Sequence, residues 1–239
     1  MSVLKKTMEL SVIIPVYRET AGISRTLETL LNLSIPVPHE ILVVDGEPGA
    51  STLAYLTDRE IADERIRPII SPKGRGTQLN TGAKASRGRL LFFLHADTCP
   101  NQQGVDAMLE AWQTSIPSRF CGAFDLTIDS PRPWFRIIER TASLRSRLTR
   151  IPYGDQGIFM SRILFERIGG FPDVPLMEDV GLMAAVKHLR IRPLFLTHTI
   201  RTSARRWESE GAAYTTLRNW TLITLYACGV PPEKLIGWY

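Results

Sequence analysis

The chain has 239 residues, 44% hydrophobic and 22% charged, with 29 Lys and Arg against 24 Asp and Glu for a net charge of +5. That composition, without repeats or low-complexity stretches, excludes a disordered, collagen-like or coiled-coil protein and suffices for one sizeable core. The longest apolar runs, 90–94 and 222–228, fall far short of the roughly 20 residues that a bilayer-spanning helix needs.

In chain order, residues 1–10 carry two lysines and run straight into a strand-like segment. They lack the apolar region and small-residue cleavage site of an export signal, so a cytoplasmic location is expected. Residues 10–16, 40–45, 66–70 and 89–95 are short runs rich in Val, Ile, Leu and Phe, the pattern of strands buried on both faces. Helices are expected between them at 20–32, 51–64 and 77–86, which gives a βαβαβαβ half with a parallel sheet. There follow a helix at 102–115, a strand at 120–128, a helix within 132–150, a strand at 157–160, a helix at 180–189, a strand at 192–196 and a terminal helix at 212–227. No Pro, Gly or Ser linker divides the chain. The expected fold class is α/β: a single domain with a Rossmann-like, mostly parallel sheet flanked by helices, residues 1–98 forming one half and 99–239 a mixed second half.

The cysteines Cys99, Cys121 and Cys228 are odd in number and lack metal-ligand spacing, which fits a reducing compartment. The charge is localised. Between residues 131 and 150 stand six arginines (Arg132, Arg136, Arg140, Arg145, Arg147 and Arg150) against Glu139, leaving the two signs balanced elsewhere. A nucleic-acid binder would carry a broader basic surface. Trp134, Ile137, Ile138, Thr141, Leu144 and Leu148 follow helical spacing with Arg136, Arg140 and Arg147 on another side, so the segment reads as a basic amphipathic helix. It is expected to meet an anionic acceptor or to lie peripherally on a membrane.

Ligands of open parallel sheets bind outside the carboxyl ends of the strands. Three apolar runs end in polar residues there: Pro15-Val16-Tyr17-Arg18-Glu19, Asp45-Gly46-Glu47 and His95-Ala96-Asp97-Thr98. Each alone could simply turn the chain, but together they outline a site. A carboxylate such as Asp97 is a hard ligand suited to Mg²⁺, which takes few protein carboxylates and completes its shell with phosphates. Lys73-Gly74-Arg75-Gly76 precedes a helix, so amide groups and Arg75 could hold phosphate. Glu178-Asp179 opens another helix, where acids also serve as caps. His198, just past a late strand, is open to a metal role or a structural one.

Taken in order, Ser-Val-Ile-Ile-Pro-Val-Tyr-Arg-Glu (11–19), Glu-Ile-Leu-Val-Val-Asp-Gly (40–46), Asn80 with Gly82, and Phe-Leu-His-Ala-Asp-Thr (93–98) resemble the donor-site motifs of family 2 glycosyltransferases of GT-A fold. Tyr-Gly-Asp-Gln-Gly-Ile-Phe (153–159), Gly-Gly-Phe-Pro (169–172), Met-Glu-Asp-Val (177–180) and Ser-Ala-Arg-Arg-Trp (203–207) resemble the acceptor-side motifs of a smaller group within it. Its members are small soluble transferases associated with radical-SAM/selenodomain proteins, some assigned to arsenosugar biosynthesis.

The resemblance implies a nucleoside diphosphate sugar donor of UDP or GDP type, a divalent cation (Mg²⁺ or Mn²⁺), and a small-molecule or lipid-linked acceptor. It assigns Pro15, Tyr17, Glu19 and Asp45 to the nucleoside pocket, with Asn80 in the same set of donor-site motifs, and Asp97 to the metal; with the residues read above, Arg75 joins Asp97 in the expected donor set, and His95 and His198 join Asp97 in the expected metal set. Asp155, Gln156, Arg206 and Trp207 fall on the acceptor side, and Asp179, with Glu178 beside it, takes the place of the catalytic base of an inverting enzyme. His95 stands where the family has the first acid of its Asp-x-Asp motif, so this site starts with one negative charge fewer. Three other classes stay open: a nucleotidyltransferase, a catalytically silent nucleotide-sugar-binding scaffold, and a membrane or nucleic-acid binder driven by the arginine helix.

Overall fold

Successive side chains of a strand point to opposite faces, and the first strands use both. In the computed structural model, which describes residues 7–238 apart from 60 and 62, the elements run β1 (Leu10–Val16), α1 (Ala21–Asn32), β2 (His39–Asp45), α2 (Ser51–Asp58), β3 (Ile66–Ile70), α3 (Arg75–Ala85), β4 (Leu90–Phe93), β5 (Thr98–Cys99) and α4 (Gln102–Gln113). The second half continues with β6 (Cys121–Asp129), α5 (Phe135–Thr149), β7 (Ile158–Ser161), α6 (Arg162–Arg167), α7 (Glu178–His188), β8 (Leu194–Ser203), α8 (Arg205–Glu210) and α9 (Ala212–Ala227). Residues 1–6, the start of the N-terminal stretch considered above, lie outside the described residues.

Leu10, Val12, Ile14 and Val16 of β1 enter one core with Ile41 and Val43 of β2 and Phe92 of β4, covered by α1 and α4 through Ile23, Leu27, Val105 and Met108. Ile13, Leu42, Val44, Leu91 and Phe93 enter the opposite core, covered by α3, α6 and α7. Each fully buried Leu, Ile or Phe stabilises the fold by about 1.5–3 kcal/mol, so both sheet faces hold their helices. The sheet has eight strands in the order β3-β2-β1-β4-β7-β6-β8-β5. β3, β2, β1 and β4 are parallel; β7 runs antiparallel to β4 and β6; β8 is parallel to β6, and β5 antiparallel to β8. The α/β class and the mixed second half are as expected.

Four of the expected elements differ. β3 is an edge strand, not one buried on both faces: Pro68 lacks the N–H that a second neighbour would need, and Ile70 is 67% exposed. β4 stops at Phe93, so His95 and Asp97 lie in the turn leading to β5. β8 extends to Ser203 through an irregularity opposite Phe124 and Asp125, which puts His198 within the strand. The expected helix at 51–64 ends at Asp58, and β5, α6 and α8 are too short to carry a periodic signal. No described helix is long and apolar enough to cross a membrane.

Gly82 shows how closely α3 approaches the sheet: a Cβ there would stand 2.5 Å from Ile13 Cγ2 and 2.9 Å from Val44 Cγ2. Gly82→Ala should therefore lower stability by about 1–3 kcal/mol through overpacking, despite alanine's better helix propensity, as read by chemical denaturation.

Candidate active site

Chain order creates the cleft. From β1 the chain goes to β2 on one side, while β4 pairs on the other, so the loops after β1 and β4 diverge and open a crevice at the carboxyl ends. The cleft there encloses about 800 Å³, and α7, α8 and α9 complete its walls.

On the β1 and β4 side, Pro15, Tyr17, Glu19, His95 and Asp97 line it, with Arg75 from the start of α3. The Lys73 ammonium lies 4.7 Å from the centre of the Tyr17 ring. Glu19 accepts the Gly22 N–H at 2.9 Å and pairs with Arg205 of α8 at 2.6 Å. Burial opposes its ionisation, but Arg205 and the Gly22 amide outweigh it and hold the carboxyl below the usual range. Asp97 goes the other way: burial, and then the charge of Glu19, push it up against Arg205 and Arg206. Burial, with the charges of Arg75 and Arg206, pushes His95 down to about 3, so its imidazole is neutral across the physiological range.

On the other side stand Tyr153, Asp155, Asp179, Arg206 and Trp207, with apolar Leu176, Met177, Leu222 and Ile223. Asp179 Oδ2 accepts the Gly154 N–H at 2.7 Å, and Oδ1 accepts the Val180 N–H at 2.8 Å. Met177, left-handed at φ 65°, turns the chain into α7, a strained conformation for a side-chain-bearing residue of the kind found at functional sites. Burial, with the charges of Asp179 and Asp97, pushes Asp155 up to about 6 against Arg145, and its Oδ1 is shut from solvent without a hydrogen-bond partner. The Arg145 guanidinium of α5 lies 3.2 Å from the centre of the Tyr153 ring. Gly154 is required here because a Cβ would collide with the His95 imidazole.

Five of the expected site residues do not line the cleft. Asp45 is wholly buried and accepts the N–H groups of Glu47 at 2.9 Å and Thr52 at 3.1 Å, holding the start of α2. Asn80 clamps the backbone of Phe171, donating to its carbonyl at 2.8 Å and accepting its N–H at 2.9 Å. Gln156 is buried between the Tyr153 N–H and the Phe124 carbonyl, each at 3.1 Å. Glu178, 2% exposed, is ion-paired with Arg75. His198 sits in β8, its Nδ1 buried without a partner. Four further residues line the cleft that were not among the expected site residues: Tyr153 and Arg205 inside their motifs, and Leu222 and Ile223 of α9; the pairing of Arg205 with Glu19 spans 186 positions, and nothing local announces it.

Among the described residues no group of three or more His, Cys, Asp or Glu converges as a ready metal cage. Asp97 nevertheless fits a divalent cation: its carboxyl is under-compensated, and a hard oxygen ligand together with phosphate oxygens meets what such an ion requires.

Residues 11–171 match the model of the family described as Glycosyl transferase family 2. Glycosyltransferase AglE of Haloferax volcanii is 32% identical over 99 residues, 40% of this chain and 33% of that protein. The probable glycosyltransferase YdaM of Bacillus subtilis is 24% identical over 237 residues, covering 87% of this chain and 52% of its own length. The chain thus spans about half or less of these relatives. Among solved structures, a mannosyltransferase from Pyrobaculum calidifontis in complex with GDP-Man and Mn²⁺ superposes with a TM-score of 0.63 at 21% identity over 82% of this chain and 57% of that one. TarS of S. aureus gives 0.61 at 18% identity over 82% and 37%. At these identities the likeness establishes the fold, which is the GT-A arrangement the motifs implied.

Asn80→Ala should cost about 1–3 kcal/mol of stability, since it leaves two Phe171 backbone groups unpaired. Ligand binding in the cleft, measured below the melting transition, should be unchanged.

Proposed function

The chain belongs to glycosyl transferase family 2, and on that premise we propose that it moves a sugar, with inversion, from a nucleoside diphosphate sugar of UDP or GDP type to an acceptor hydroxyl. The observation that carries this reading is the joint presence in one cleft of the β1 end, the His95 to Asp97 turn and the amide-held Asp179 carboxylate. We assign residues 1–98 to the donor and 99–239 to the acceptor.

Pro15, Tyr17 and Glu19 line the nucleoside end. Asp97 would hold the cation, which would neutralise charge on the departing diphosphate. Arg75 and Arg206 line the same cleft and add positive charge toward phosphate oxygens. Asp179 is the base that takes the acceptor proton as the hydroxyl oxygen attacks the sugar carbon and the bond to the diphosphate breaks. Its two backbone amide bonds fix the carboxylate before substrate arrives. The ion pair of Glu178 with Arg75 and its burial favour Asp179 over Glu178 for that task. Asp155, with an unpartnered oxygen, and the Trp207 ring bind acceptor hydroxyls and the sugar face. The motifs at 153–159, 177–180 and 203–207 support a place beside the radical-SAM/selenodomain-associated transferases, with a small-molecule or lipid-linked acceptor.

A positioned base contributes about 10²–10⁴ in rate, so Asp179→Asn should lower kcat by that order and leave donor affinity nearly unchanged. Glu178→Gln should lower the melting temperature more than the rate. Product analysis by NMR should show the anomeric configuration inverted; retention, or full activity of Asp179→Asn, would overturn the assignment.

A further inference from the structure

The basic helix is built inside out. β6 pairs with β7 only at Cys121 and Gly122, so its later backbone groups on that side have no strand partner, and buried amides left unpaired are costly. α5 supplies the partners. The Leu126 N–H donates to Ser143 Oγ at 3.3 Å, the Ile128 N–H donates to Glu139 Oε1 at 2.6 Å, and Arg136 donates to the Ile128 and Ser130 carbonyls at 3.0 Å. Phe135, Glu139, Ser143 and Ser146 are accordingly the buried positions of the helix. Trp134 and Ile138 pack inward beside them, which divides the apolar face read from the sequence.

The remaining apolar residues face outward: Ile137 is 65% exposed, Leu144 57% and Leu148 75%. Their spacing of seven and then four forms one stripe along the helix. Arg147 pairs with Asp125, Arg136 with Glu139, and Arg145 covers Tyr153, whereas Arg140 on the helix, and Arg132 and Arg150 just before and after it, are exposed. The only acid of the segment, Glu139, is buried.

We propose that this stripe docks on an anionic lipid bilayer, with Ile137, Leu144 and Leu148 in the headgroup boundary and Arg132, Arg140 and Arg150 on lipid phosphates. An apolar stripe flanked by unpaired arginines is the pattern of a helix lying in a membrane interface. A second copy fits poorly, because a two-fold contact through this face would oppose arginine to arginine. A nucleic acid gains nothing from the leucines. Docking does not depend on the proposed reaction, so its failure and that of the transferase reading are separable.

The test is co-sedimentation of the full chain with phosphatidylcholine vesicles, with and without phosphatidylglycerol, at moderate salt, with melting temperature as the fold control. The wild type should pellet with the anionic vesicles and largely stay in solution with the neutral ones. At about a tenfold effect for each leucine buried in the headgroup boundary, L144S/L148S should weaken binding about a hundredfold, and R132Q/R140Q/R150Q about a hundredfold as well, each with the melting temperature retained. A wild type that ignores anionic vesicles, variants that pellet equally well, or a lipid-free dimer abolished by L144S/L148S would each overturn the proposal.

Discussion

The site depends on one constraint, the pairing of β1 with β2 on one side and β4 on the other. Ile13 faces Phe93, the last residue of β4, while β1 continues to Val16 opposite Asp45. The three extra residues of β1 run beside the turn that holds His95 and Asp97, so two loops distant in sequence meet at one crevice. The pairing itself rests on apolar residues that alternate between two cores, and the helices of those cores set the other walls. Gly82 is the point at which α3 comes close enough for its N-terminal Arg75 to reach the cleft.

Charge in the cleft is deliberately uneven. Glu19 is compensated by Arg205 and a backbone amide, which hold it below the usual carboxylate range. Asp97 and Asp155 are not: burial and neighbouring acids push both upward. Acids left in that state at a cleft mark functional positions, since a cation at Asp97 or a hydroxyl donor at Asp155 would relieve what the protein alone does not. His95, neutral and seated against Gly154, lowers the local negative charge relative to a second acid, so a cation bound here would draw more of its shell from the diphosphate.

Much of this was legible in the sequence because it is local. The apolar runs of β1, β2 and β4 name their own strands, and Tyr17, Asp97 and Asp179 could be placed by the motifs around them. What could not be read is what long-range contact decides. Asp45 and Asn80 belong to recognisable motifs, yet the structure commits their side chains to the start of α2 and to the Phe171 backbone. The periodicity of α5 gave a helix but assigned its faces by polarity alone. The unpaired stretch of β6 divides that face instead, drawing Glu139 and Ser143 inward beside Trp134 and Ile138 while Ile137, Leu144 and Leu148 turn outward. Leu222 and Ile223 reach the cleft only because α9 folds back over it.

In the proposed reaction the cleft binds a nucleoside diphosphate through a cation held by Asp97. Calorimetric titration of UDP and of GDP, with and without Mn²⁺, into the wild type and Asp97→Asn tests it most directly. At least one of the two nucleotides should bind the wild type, more tightly with Mn²⁺, and Asp97→Asn should remove most of the gain due to the metal. Absence of binding by either nucleotide, or an Mn²⁺ effect equally large in the variant, would contradict it.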